Sequence, residues 1–190
     1  MMNTKTKELA LIGLMAAVIC IAGPLSLPLP FSPIPISLTN LAVYFSVYTL
    51  GMKRGTISYL VYLLIGVAGL PVFSAFTSGP AKLFGPTGGY LIGFLFMALI
   101  CGYCVDRWNG QIIASFIGMV AGIVVCYFLG TIWLAFQMSV GSDQSFTAAL
   151  PAAIAAGVLP FIVGDLLKIV FSLLIGAQVR VRVRRAVFNE

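Results

Sequence analysis

Residues 108–142 read WNGQIIASFIGMVAGIVVCYFLGTIWLAFQMSVGS, 35 positions without one charged side chain. A helix that crosses the hydrocarbon core of a bilayer needs about 20 consecutive apolar residues, and this stretch supplies them with some to spare. The pattern recurs on either side. Glu8 and Lys53 are separated by 44 uncharged residues, Arg54 and Lys82 by 27, and Lys82 and Asp106 by 23. Over the 190 residues the hydrophobic fraction is 61% and the charged fraction 8%, with mean hydropathy +1.09. A soluble domain runs about 45–50% apolar and about 25% charged. This chain has too few polar groups to cover itself in water, a requirement that lipid removes. The composition therefore predicts an all-α integral membrane protein, with one domain over residues 1–190.

The first uncharged run is too long for one span, and Pro24, Pro28, Pro30, Pro33 and Pro35 divide it, since repeated prolines cannot continue a helix. The resulting reading has six spans, near 8–25, 36–52, 55–74, 88–105, 110–137 and 158–179, with a proline-rich loop after the first. Lys5 and Lys7 precede an apolar stretch, as in a signal peptide, but no small-x-small cleavage pattern follows, so the stretch is read as the first helix. Six spans with both ends inside place nine of the eleven basic residues on one side: Lys5, Lys7, Lys53, Arg54, Arg107, Arg180, Arg182, Arg184 and Arg185. That asymmetry puts both termini in the cytoplasm. The net charge of +6 is then a set of topology anchors beside anionic lipid headgroups, with Arg180–Arg185 as a basic tail. Nucleic acid is not needed to explain it.

The counts exclude several function classes. Histidine is absent, which removes the usual general base, the Ser–His and Cys–His pairs and the commonest zinc ligand. The five carboxylates, Glu8, Asp106, Asp143, Asp165 and Glu190, are too few for a metal-dependent hydrolase, and no cofactor is expected. There is no Walker lysine loop, so energy input must come from a partner or a gradient. Cys101 and Cys104 form a CxxC, but in an uncharged apolar run without a second pair they read as small residues packed in a helix. Tyr44, Tyr48, Tyr59 and Tyr62 read as bundle packing and interface anchors, and Trp108 as a boundary residue.

Three features remain. The segment Phe76–Tyr90 carries Gly79-Pro80, Gly85-Pro86 and Gly88-Gly89, which force turns and expose backbone groups. It is longer than a tight connection and contains Phe76, Leu83 and Phe84, so it is expected to fold over the bundle as a lid. In the last predicted helix, Asp165 and Lys168 are three apart and share a face. Asp165 lies 15 residues before Arg180, or about 22 Å at 1.5 Å per residue, in the outer half of a core about 30 Å thick. Charges at that depth face the interior or a water-filled cavity, so the pair suggests a polar site for a small molecule entering from outside. Finally, Ala10, Gly13 and Ala17 form a small-residue stripe on the first helix, as do Ala16 and Cys20. Such stripes let backbones approach closely, either within the bundle or against another membrane protein.

The chain resembles the BioY family, the biotin-specific substrate-binding (S) components of energy-coupling-factor (ECF) transporters. The resemblance rests on Gly85-Pro-Thr-Gly-Gly-Tyr-Leu-Ile-Gly-Phe94 and Gly164-Asp-Leu-Leu-Lys168, with Pro35-Ile-Ser-Leu-Thr-Asn-Leu41 and Leu70-Pro-Val-Phe73 in support. It implies six helices, a biotin site open to the outside, and a cytoplasmic-side module of two ATPases with a transmembrane coupling subunit. It also implies docking of that module through small residues on the first helix, which Ala10, Gly13 and Ala17 match in kind. Many relatives carry Gln where this chain has Thr39, with Asn40 as its substitute here.

Biotin suits these residues. Asp165 can accept from the ureido N–H groups, and charge-assisted bonds are the strong ones. Lys168 can donate to the ureido oxygen or pair with the valerate carboxylate, for which Lys82 is a second candidate. Gly79, Gly85, Thr87, Gly88, Gly89, Tyr90, Thr39 and Asn40 complete the expected binding set. The expected location is the plasma membrane of a prokaryote. Alternatives are an S component for another vitamin, a small intramembrane enzyme, and a structural or oligomerising membrane protein.

Overall fold

A computed structural model describes residues 4–142 and 144–185; two of the five carboxylates, Asp143 and Glu190, lie outside them. The chain is mostly helical. Helix α1 (Thr4–Ala22) ends where Gly23-Pro24 breaks it, and α2 (Thr39–Leu50) and α3 (Met52–Val67) meet at Gly51, whose φ of 84° suits glycine. A 3-10 turn (Ser74–Phe76) and the one-turn helix α4 (Ala81–Phe84) lead into α5 (Gly88–Arg107). The remaining helices are α6 (Ile112–Ser142), α7 (Phe146–Gly157) and α8 (Ile162–Val183).

Among the described residues, α5, α6 and α8 are long and apolar enough to cross a membrane. Helix α2 has 12 residues and α3 has 16, short of the roughly 20 that a spanning helix needs. Two further departures from the sequence reading stand out. The proline-rich stretch is a β-hairpin, not a loop: β1 (Ser26–Leu29) pairs antiparallel with β2 (Ser32–Ser37), with Ser26 opposite Ser37 and Leu27 opposite Ile36. A two-stranded sheet has only edge strands, which tolerate proline because one side of each strand makes no ladder bonds. The second departure is α7, a helix within residues 138–157, which the six-span reading left as a connection. Ser145 caps it, its Oγ accepting from the Ala148 N–H at 3.4 Å.

Small residues set the closest helix contact. Helices α5 and α6 turn back on each other through Asn109 and Gly110, both at positive φ, and pack along their length. Added β-carbons on Gly93, Gly118 and Gly122 would meet Cys126, Cys104 and Cys101 respectively. Cys101, Cys104 and Cys126 are therefore packing residues at the α5–α6 seam, and with Cys20 of α1 all four cysteines are free thiols. Tyr44, Tyr48, Tyr59 and Tyr62 are fully buried among α2, α3 and their neighbours. They pack the core and do not anchor the boundary.

Candidate functional site

The last helix begins later than the apolar pattern suggests, so Asp165 falls in the first turn of α8, where the helix dipole favours a carboxylate. Asp165 is 5% exposed and accepts three hydrogen bonds. Asn40 Nδ2 donates to Oδ1 at 2.7 Å, Lys168 Nζ donates to Oδ1 at 3.0 Å, and the Tyr127 hydroxyl donates to Oδ2 at 2.6 Å. Lys168 has two more acceptors, the Ser37 carbonyl at 2.7 Å and Asn40 Oδ1 at 3.0 Å. An ammonium has three donors, so every one is engaged. Asn40 supplies both a donor and an acceptor and joins the start of α2 to α8. A buried ion pair is tolerated when further hydrogen bonds satisfy both partners, and this one meets that condition.

The cluster lines one end of a narrow cavity of about 60 Å³. Strand β2 contributes Ile34, Pro35 and Ser37, Thr87 stands at the start of α5, and α5 contributes Tyr90, Leu91 and Phe94. Helix α6 contributes Ile123, Cys126 and Tyr127, while Gly157 and Phe161 complete the wall before α8. Most of that surface is apolar, with charge at one end only. The hydroxyls of Thr87 and Tyr62, both at the wall, are buried with no hydrogen-bond partner among the described residues.

Of the expected binding residues, Asp165, Lys168, Asn40, Thr39, Thr87 and Tyr90 meet at this cavity. Thr39 shares a 2.6 Å hydrogen bond with the Ser37 hydroxyl, and Tyr90 donates to the Gly157 carbonyl at 3.1 Å, joining α5 to the end of α7. Gly79, Gly85, Gly88, Gly89 and Lys82 do not line it. The Gly85 carbonyl accepts from Trp133 Nε1 at 2.8 Å, the Phe84 carbonyl accepts from Gln137 Nε2, and Gly89 lies against Trp133. These residues hold the loop to α6. Half-burial lowers the pKa of the Lys82 ammonium from the ordinary lysine value.

The lid also differs from expectation. Phe76 and Phe84 are exposed, and of the three apolar loop residues Leu83 alone packs on the core. The hairpin and the end of α7 share that wall with Ser74, Thr87 and Tyr90, and are joined by a 2.8 Å hydrogen bond from the Ser32 hydroxyl to the Ala156 carbonyl. Tyr127 and the Ser37 carbonyl are members of the cluster that the sequence reading missed. The stripe of Ala10, Gly13 and Ala17 is exposed, and an added β-carbon on Gly13 would meet nothing within 4 Å, whereas Ala16 is buried.

Comparison with known proteins gives concordant matches. The BioY family model matches residues 1–185. The "Biotin transporter BioY2" of Lactococcus lactis is 35% identical over 176 residues, covering 93% of this chain and 91% of the relative. The "Biotin transporter BioY" of Thermotoga maritima is 34% identical over 175 residues, covering 92% and 96%. A crystal structure of the S-component for biotin from an ECF-type ABC transporter superposes with a TM-score of 0.80 at 32% identity, covering 95% of this chain and 94% of that one. A second S component, of a bacterial ECF transporter, shares the fold with a TM-score of 0.54 at 14% identity. With the family model spanning nearly its whole length and full-length relatives above 30% identity, the chain belongs to the BioY family.

Proposed function

We propose that this protein is the biotin-binding S component of an ECF-type ABC transporter, taking biotin from outside the cell and delivering it inward when coupled to an ATPase module. The observation that carries the proposal is the cavity with Asp165, Lys168, Asn40 and Tyr127 at one end and Leu91, Phe94, Ile123 and Phe161 along its walls. Biotin has the matching division: a ureido ring with two N–H donors and one acceptor, an apolar sulfur ring, and a carboxylate. Asp165 accepts from the ureido ring, Lys168 or Asn40 donates to its oxygen, and the Thr87 and Tyr62 hydroxyls are available for the rest of the molecule. The chain has no catalytic step in this reading.

In the same reading the six spans contain α1, α2, α3, α5, α6 and α8 in the plasma membrane of a prokaryote with both termini cytoplasmic, the short α2 and α3 completing their spans with the hairpin before α2 and the turns after α3. Helices α4 and α7 stay at the outer face beside the hairpin. The exposed stripe Ala10, Gly13 and Ala17 then docks the coupling module, because a surface without side-chain bulk admits another helix closely. Calorimetric titration of purified protein with biotin tests the proposal. Saturable one-site binding that other vitamins do not displace is the expected result, and displacement by a different vitamin would reassign the substrate.

A further inference from the structure

A second cavity, of about 1020 Å³, shares Ile123, Tyr127 and Asp165 with the narrow one, so these three side chains stand between the two. Its walls follow from helical spacing. Val124 and Phe128 of α6, Leu150 and Ile154 of α7, and Ile162 and Leu166 of α8 all line it. The members of each pair are four residues apart, so each helix turns one face to the cavity. Val124, Phe128, Ile154, Ile162 and Leu166 are exposed, which makes the cavity a groove open to the side of the bundle. Helices α6 and α8 are both long and apolar enough to cross a membrane.

The chemistry of the walls decides what can fill the groove. Among the described residues that line it, the polar side chains are Tyr127, Thr131 and Asp165, and each has a partner. Tyr127 donates to Asp165, which also accepts from Asn40 and Lys168, and the Thr131 hydroxyl is 3.4 Å from that of Tyr90. An ordered water needs about two to four polar partners, and these walls do not spare them. No cation is among the lining residues, so a free fatty acid would strand its carboxylate. Another helix suits the groove no better. Close helix docking in lipid uses Gly, Ala, Ser and Thr, and of the lining residues only Thr131 is of that kind; the α5–α6 seam, by contrast, is built on glycine. A flexible hydrocarbon chain needs neither a donor nor a close approach of backbones.

We propose that this groove is a binding site for one acyl chain of a bilayer phospholipid, its headgroup outside the groove and Tyr127 keeping the chain out of the biotin cavity. The proposal rests on the bundle lying in a membrane and not on the identity of the substrate.

The test uses the full chain in nanodiscs that hold one copy each, so that a second copy cannot occupy the groove. The probes are phosphatidylcholine and phosphatidylglycerol with a diazirine midway along one chain, and mass spectrometry maps the cross-linked residues. Val163 and Leu167 are exposed on α8 next to Ile162 and Leu166 but do not line the groove. They report lipid that merely surrounds the protein at the same depth. Label at Ile162 and Leu166 should exceed label at Val163 and Leu167 severalfold, equally for both headgroups. Val124→Trp and Ile154→Trp, which fill the groove, should each abolish that excess with biotin affinity unchanged. Tyr127→Ala should let label reach Leu91 and Phe94 of the narrow cavity, which stay unlabelled in the native protein. Equal label at the four α8 positions, an excess that depends on the headgroup, an excess that survives both tryptophan variants, or no label at Leu91 and Phe94 in Tyr127→Ala would each overturn the proposal. Absence of label from all four α8 positions would overturn the membrane placement of α8 and the proposal with it.

Discussion

Asp165→Asn keeps the size and shape of the side chain while removing its charge, which makes it the sharpest test of the polar cluster. The carboxylate accepts from Asn40, Lys168 and Tyr127. A hydrogen bond to a charged group is worth about 1.5–3 kcal/mol against about 0.5–1.5 kcal/mol for a neutral one. The bonds from Asn40 and Lys168 each weaken by roughly 1 kcal/mol, the Tyr127 hydroxyl faces an amide N–H and must turn round to accept from it, and Lys168 is left with neutral acceptors only. The variant should unfold at lower temperature for that reason alone. Biotin adds a second, separable loss. One or two ureido bonds to the missing charge remove about 2–4 kcal/mol of binding, roughly 30- to 1,000-fold in Kd. Calorimetry on monodisperse detergent-purified protein measures the second effect and thermal unfolding the first. Lys168→Met should do comparable damage, and the double variant should lose less than the sum of the singles because the two side chains are in contact. A depressed Tm with wild-type Kd in both single variants would refute the assignment and leave the pair a purely structural device.

Other consequences of the geometry are as readily checked. Gly13→Leu adds bulk where nothing lies within 4 Å, so it should reduce energised uptake while leaving biotin affinity and Tm intact. Ala16→Leu, at a buried position of the same helix, should lower both; uptake unaffected by Gly13→Leu would remove the stripe from the docking surface. Single cysteines in a background lacking the four native ones should be labelled from outside at position 82 and from inside at positions 54 and 107, and labelling of all three from one face would refute the six-span topology. Ser32→Ala removes the hydrogen bond between the hairpin and α7. It also removes the bond that the Ser32 hydroxyl accepts from the Ile34 N–H within the hairpin; the inter-element bond alone, worth about 0.5–1.5 kcal/mol, should speed biotin release by roughly two- to tenfold in a chase experiment, and an unchanged release rate would show that the contact does not hold the site closed.

The parts of the site legible in the sequence were those that break its own pattern. Two charges three residues apart in an apolar run announce themselves, and Asn40 at the entry to α2 and Thr87 before α5 stand out as polar residues at helix starts. Tyr127 carries no such mark: it is one aromatic among many in an uncharged span, and only the approach of α6 to α8 reveals its bond to Asp165. The Ser37 carbonyl is backbone and has no sequence signature at all. The hairpin was misread because prolines that break helices are also admissible in edge strands. Helix α7 was missed because it is short for a span and holds an internal proline, Pro151. The glycine motif was recognisable, yet several of its members serve the packing of α5 on α6 and the anchoring of a loop, which spacing alone does not distinguish from ligand contact.

The bonds that hold Asp165 and Lys168 bridge 125 to 131 positions of sequence, and this bears on biogenesis. A ribosome releases the segment carrying Ser37 and Asn40 long before it releases α8. Asp and Lys each cost up to about 2.5–3.5 kcal/mol at the centre of a helix that enters lipid, and less toward its start, where Asp165 and Lys168 stand. The insertion machinery therefore meets α8 when the acceptors and donor that neutralise its Asp165 and Lys168 are already in the membrane. A truncated nascent chain lacking α8 would lack the cavity's charged end altogether, so competence to hold substrate arises only once α8 has been made.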